Sequence, residues 1–118
     1  MPSTILHNRT RGTLLAREVL QPRGAWEWSM GLLARPPLLP GQALWLNPCG
    51  GVHTWGMRYP IDVLFLDPDL TVLSVARDVG PWRLVFAPGG TRSVLELPAG
   101  GAAGVQAGDR LSLDGAVR

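Results

Sequence analysis

Lysine is absent. All eleven basic residues of the 118-residue chain are arginine, set against nine acidic residues, and the formal charge is +2. Guanidinium holds its proton to very high pH, so the sequence pI of about 9.5 owes as much to the missing lysine as to the charge balance. The arginines are spread from Arg9 to Arg118 without a run. A nucleic-acid face gathers its cations on one surface, so no nucleic-acid partner is expected. Cys49 is the single cysteine, which excludes an internal disulfide. It also leaves a structural zinc site short: Cys49 and His53 offer two ligands where four are needed, so no metal site is expected. Long apolar runs are missing too. Nothing approaches the ~18 residues of a membrane span, and the opening MPSTILHNRTRG has no apolar leader core. A cytoplasmic protein with no membrane partner is expected.

Glycine (15) and proline (11) are abundant, in a chain that is 46% hydrophobic and 17% charged. That composition fits one globular domain, residues 1–118, built of short strands and turns. Residues 1–12 read as frayed or edge-like. TLLAREVL (13–20) reads as a first strand or a helical turn. RGAWEWSMGLLARPP (23–37) is the helix candidate, since Trp26, Met30 and Leu33 recur at helical spacing and Pro36-Pro37 ends it. From Leu38 the pattern turns to strands: QALWLNP, then IDVLFL and TVLSVA joined by the turn Asp67-Pro68-Asp69-Leu70, then WRLVFA, SVLELPAG and a last strand after Gly108-Asp109. The expected fold is mainly β (β-rich α+β): a small barrel-like domain of six to seven short strands with one short helix.

Chemistry gathers in one place. CGGVHTWGMRYPID (49–62) brings a thiol, an imidazole, an indole, a guanidinium and a carboxylate into fourteen residues. Cys49 and His53 could form a thiolate–imidazole pair with Asp62 orienting the ring, the arrangement of a Cys/His-dependent hydrolase or thiol transferase. A cysteine that only fills space is the plainer account. Arg58 offers a planar fork for carboxylate or phosphate and Trp55 a face for stacking, and Arg83 could converge on the same place. The plainer account here is an internal Arg58–Asp62 pair anchoring the bend at Tyr59-Pro60. Asp62 abuts an apolar run, so it must be paired or hydrogen-bonded. Most of the five tryptophans belong in or beside the core; Trp28 and Trp82 are the candidates for lining a groove.

The motifs GLLAR (31–35), PCGGVHTWGMRYPIDVLFLD (48–67), PWR (81–83), VLELPAG (94–100) and GVQAGD (104–109) occur in an order that resembles the bacterial and archaeal family called domain of unknown function 192, over residues 14–113. The resemblance implies a compact, mainly β domain with a short helix, and no established activity. The motif positions it carries over are Gly31, Cys49, His53, Arg58, Pro60, Asp62, Glu96, Gly100, Gly108 and Asp109. Many relatives have Trp-Met-Lys-Asn-Thr in place of residues 53–57, which lowers His53 as a shared catalyst. Many have Asp-x-Asp-Gly where this chain has Asp67-Pro-Asp-Leu70. Lacking that glycine, the hairpin here is expected to widen and so avoid a left-handed residue.

The function carried forward is a non-enzymatic binding or accessory domain, with no cofactor. Its ligand-binding residues are His53, Trp55, Arg58, Arg83 and Asp62, and its ligand is a small anion or an acidic peptide end. The alternatives are the Cys49–His53 enzyme and a structural or partner-binding module without a ligand.

Overall fold

The computed structural model describes residues 4–21, 38–49, 51–53, 59–81 and 83–115. Within them the protein is mainly β, with ten strands: β1 Thr4–Asn8, β2 Thr13–Ala16, β3 Glu18–Leu20, β4 Gln42–Leu46, β5 Gly51–His53, β6 Ile61–Leu66, β7 Val72–Val79, β8 Leu84–Phe86, β9 Ser93–Pro98 and β10 Leu111–Gly115. They form three sheets, ordered β10-β1-β2, β3-β4-β9-β6-β7 and β5-β8. The expected barrel-like closure is therefore replaced, among the described residues, by open sheets. The expected helix over residues 23–37 lies outside the described residues, and among the described residues no helix is long and apolar enough to cross a membrane.

The strand count exceeds the expectation for identifiable reasons. TLLAREVL divides at Arg17 into two strands that serve different sheets: β2 pairs antiparallel with β1, and β3 pairs parallel with β4. Of residues 1–12, the described part from Thr4 to Asn8 is not an edge. Strand β1 is the middle of its sheet, because β10, at the far end of the chain, lies antiparallel along its other side from Thr4↔Gly115 to Asn8↔Leu111.

IDVLFL and SVLELP form the centre of the five-stranded sheet. Strand β6 lies between β9 and β7, and all six of its residues are buried. A strand covered on both faces has no solvent side, which is why its sequence is a nearly continuous apolar run. Successive side chains still point to opposite faces, and this separates two cores. Leu64, Leu66, Leu95, Leu97 and Ala43 join Leu6, Ala16, Leu111 and the loop residues Ala102 and Val105 beneath the three-stranded sheet. Val63, Phe65, Ile61, Val94, Leu44 and Leu46 pack on the other face with Leu38, against Cys49, Tyr59, Val85 and Ala87. Removing each such large side chain from water is worth about 1.5–3 kcal/mol.

The β6–β7 hairpin corrects one expectation. Leu70 does adopt a left-handed conformation, φ 64°. Residues 67–71 connect the two strands, and Asp67 organises the turn: its Oδ1 accepts the backbone N–H groups of Asp69 at 2.8 Å and Thr71 at 2.9 Å. Leu70 itself packs against the first core, so burial offsets what the backbone angle costs.

Candidate functional site

Strands β5 and β8 form an antiparallel ribbon with the register Gly51↔Phe86, Val52↔Val85 and His53↔Leu84. This places His53 across from the residue that follows Arg83, so two of the five candidate site residues lie at one end of the ribbon. Arg83 is exposed. At the other end, the Cys49 N–H donates to the carbonyl of Arg92 at 2.9 Å, tying the start of the motif to the segment after β8. Val85 faces inward onto the second core, while Phe86 is 79% exposed. The two segments that make and flank the ribbon, residues 47–61 and 79–93, contain Arg58, Arg83, Arg92 and His53 and no aspartate or glutamate. All nine acidic residues lie elsewhere in the chain. Trp55 and Arg58 lie outside the described residues, as do Trp28 and Trp82.

Asp62 is placed differently from the other candidates. It is 2% exposed, the second residue of β6, on the face of the first core. Its Oδ1 accepts the N–H of Asp78 at 2.8 Å, and its Oδ2 accepts the N–H groups of Gly100 at 3.1 Å and Ala102 at 3.0 Å. A buried carboxylate is tolerable only where its charge meets donors, and here both oxygens meet the backbone. The requirement read from the sequence, that Asp62 be paired or hydrogen-bonded, is met by these amides; the Arg58 end of the expected pair lies outside the described residues. Arg77 on β7 grips the same loop from the other side, its guanidinium donating to the carbonyls of Ala102 and Val105. Ala102 is thus held at both its N–H and its C=O.

A second carboxylate holds the far end of this loop. Asp109, 2% exposed, accepts from Arg11 Nε at 2.7 Å, Asn8 Nδ2 at 2.9 Å and the Gln106 N–H at 3.0 Å, all on Oδ2. The Arg11 hydrogen bond, joined by those of Asn8 and Gln106 and by the guanidinium charge, outweighs the opposing effect of burial and lowers the Asp109 pKa from 3.8 to about 2. On the outer face of the three-stranded sheet, Asp114 accepts from Ser112 at 2.8 Å and Arg9 at 2.9 Å and lies 3.0 Å from His7 Nδ1. Its pKa is lowered too, first by Ser112 and then by His7.

Of the motif positions carried over from the resemblance, several are therefore architectural. Gly100, at φ 89°, presents its N–H to Asp62, and Gly108, at φ 95°, donates its N–H to the Val72 carbonyl at 2.8 Å. Glu96, 2% exposed, sits opposite Leu44 and Val63 on β9 and by alternation shares the face of Val94, the face that Cys49, Tyr59 and Val85 cover. Cys49 is half-buried against that second core, and neither it nor Glu96 nor Arg83 is a free group. Among the described residues no group of three or more His, Cys, Asp or Glu side chains could hold a metal ion. Reading the sequence missed Arg92 and Phe86 at the ribbon, and Arg77, Asn8 and Arg11 in the supports. The absence of acid from residues 47–61 and 79–93 was the available signal for the ribbon.

A family model, that of the uncharacterized ACR proteins known as DUF192, matches residues 6–113. The chain belongs to the DUF192 family. Two solved structures share the DUF192 chain's fold. One is a protein of unknown function from Novosphingobium aromaticivorans DSM 12444, 24% identical, with a TM-score of 0.76 over 95% of this chain and 84% of that one. The other is a candidate transcription regulator from Sinorhizobium meliloti 1021, 21% identical, with a TM-score of 0.76 over 96% of this chain and 94% of that one. At these identities the likeness is one of fold. No curated protein matches this DUF192 chain.

Proposed function

We propose that this DUF192 protein is a binding or accessory domain whose site is the β5–β8 ribbon and whose ligand is a small anion or an acidic peptide end. The observation that carries this reading is the charge of the ribbon's two segments, which supply three arginines and a histidine and no carboxylate. Segments that carry guanidinium and no carboxylate favour a carboxylate or phosphate as ligand, which guanidinium binds through two parallel hydrogen bonds. Arg58 and Arg83 supply those forks, Trp55 a stacking face, and His53 a further donor across from Leu84. Asp62 acts from the other face of the sheet, fixing the start of β6, where the motif ends, to the backbone at Asp78, Gly100 and Ala102.

The test is a titration with phosphate, sulfate, citrate, acetate and glutamate, followed by tryptophan fluorescence. A saturable change is expected for at least one of these anions, weakened by added salt and by Arg58→Ala or Arg83→Ala. Silence across the panel overturns the reading in favour of a module without a ligand. Because the Sinorhizobium relative carries a regulator's name, duplex DNA belongs in the same experiment. Tighter binding to DNA than to every small anion would move the site to a nucleic-acid face.

A further inference from the structure

We propose that the cavity between β2, the start of β4 and the loop after β9 binds a free α-amino acid with an apolar side chain. The site is distinct from the ribbon. Leu97, which lines the cavity, belongs to the first core, whereas the ribbon's Val85 packs on the second.

The cavity is half-open and has a volume of about 260 Å³. An apolar cavity of about 150 Å³ holds a benzene ring. This one therefore takes a leucine or phenylalanine side chain, with the charged head at the mouth. The walls suit such a side chain, since Leu15, Pro40, Leu97, Pro98 and Ala99 all line them.

Those walls are fixed before any ligand arrives, which lowers the ordering that binding requires. Gly100 donates its N–H to the buried Asp62, and Gly101 donates its N–H to the Pro98 carbonyl at 2.7 Å. Across the cavity, the Gly41 carbonyl accepts the N–H groups of Arg17 at 2.8 Å and Glu18 at 3.1 Å. Gln42 fixes that corner a second time. Its Oε1 accepts the Leu39 N–H at 2.9 Å, and its Nε2 donates to Glu18 Oε1 at 3.0 Å. Gly41, Gln42, Gly100 and Gly101 are themselves part of the lining.

The rim decides the occupant. The two hydrogen bonds to Gly41 bring one guanidinium, that of Arg17, and one carboxylate, that of Glu18, beside the same cavity, and both residues are exposed. An apolar body with only an anionic head would meet repulsion from Glu18, and one with only a cationic head would meet it from Arg17. A zwitterion answers both, its carboxylate paired with the guanidinium and its ammonium with the carboxylate. Asp62, behind the Gly100 wall, does not enter this balance, because its oxygens are taken by three backbone N–H groups.

The experiment titrates the whole, nitrogen-labelled protein with L-leucine and follows the backbone amide chemical shifts. Saturable shifts are expected at Gly41, Gly100 and Gly101, and L-phenylalanine should move the same amides. Glycine has no side chain to bury and should bind about tenfold or more weakly. Isocaproate and isoamylamine keep the leucine side chain and lose one charge each. Each should bind about threefold or more weakly than leucine, the scale of a partly exposed charged contact. Arg17→Gln and Glu18→Gln should weaken leucine to a similar degree and leave the thermal midpoint unchanged, since both residues are exposed. Ala99→Leu, at an exposed position of the lining, should fill the cavity and abolish the shifts. Absence of saturable shifts with both leucine and phenylalanine overturns the proposal. Glycine or isocaproate binding as tightly as leucine does so too. Tighter binding of N-acetyl-leucine than of leucine overturns it in favour of a pocket for the carboxyl-terminal residue of another protein.

Discussion

Gly101 shows how little space the loop after β9 allows. Its N–H donates to the Pro98 carbonyl at 2.7 Å, and a Cβ there would lie 2.9 Å from that same oxygen and 3.0 Å from Leu97 Cβ. The oxygen is backbone and cannot swing aside. Gly101→Ala should therefore cost about 1–3 kcal/mol, read from the midpoint of a urea titration. Gly104 is the control. It is left-handed at φ 82°, and a Cβ there would meet nothing within 4 Å, so Gly104→Ala carries only the backbone term, about 1 kcal/mol. Equal losses at the two positions would show that the contact at Gly101 is relieved by a shift of the loop. Asp62 poses the complementary case, in which removing atoms does the damage. Asp62→Ala strands three backbone N–H groups, of which that of Ala102 belongs to a fully buried residue. A loss of about 3 kcal/mol or more is expected. Asp62→Asn keeps one acceptor oxygen and should fall between the alanine variant and the wild type. A result in which alanine is no worse than asparagine would mean that water replaces the carboxylate.

At the scale of the element, the loop from Ala99 to Arg110 is a strap fastened at both ends by carboxylates, Asp62 near its start and Asp109 near its finish. Asp109 makes that fastening pH-dependent. Its folded pKa, about 2, lies below the ordinary value of 3.8. The unfolded chain therefore takes up the proton first as pH falls. The stabilisation is complete above about pH 4 and drains away between there and about pH 2. Asp114 is lowered as well, so the wild-type profile mixes the two. The informative quantity is the difference between wild type and Asp109→Asn. That difference should be widest near neutral pH and shrink through this window, as followed by urea midpoints from pH 6 to pH 2. Parallel profiles would remove Asp109 from the acid response. The same elements show what a sequence can and cannot disclose. IDVLFL, TVLSVA, QALWL and SVLELP are legible because their apolar runs are long enough to betray a strand and their ends carry turn residues. Strand β1 is not, since TILHN owes its place to β10 and its buried Asn8 owes its partners to Asp109 and Arg11. GVH is illegible as β5 for the same reason: Gly-Gly-Val-His has no strand pattern of its own, and its partner LVF lies more than thirty residues on. Asp62 announced from its apolar surroundings that it needed partners. That they would be amides from Asp78, Gly100 and Ala102 depends on tertiary geometry, which local pattern does not encode.

For the molecule as a whole, the consequential fact is that two cores share one sheet. Leu64 and Phe65 are neighbours in β6, yet Leu64 packs beneath the three-stranded sheet and Phe65 packs on the face that Cys49, Tyr59 and Val85 cover. Both are fully buried, at 0% and 1% exposure. Truncating either leaves a cavity whose cost includes the lost burial and the unfilled space, about 2–5 kcal/mol for Leu64→Ala and about 3–5 kcal/mol for Phe65→Ala. Neither core can come apart alone, because β6, β9 and β4 furnish both. Strand β6 is also held along its full length by β9, from Ile61↔Pro98 to Leu66↔Ser93. Each variant should therefore unfold in one transition, with a lower urea midpoint, an unchanged slope, and superimposable curves from far-ultraviolet circular dichroism and tryptophan fluorescence. The alternative is physically distinct. If the ribbon and its flanking segments were a separately melting cover, Phe65→Ala would loosen that cover first, and fluorescence would change at lower urea than circular dichroism while Leu64→Ala kept the two together. Coincidence in both variants would establish that the ribbon is presented by a rigid sheet, and that any ligand it holds is coupled to the stability of the entire fold.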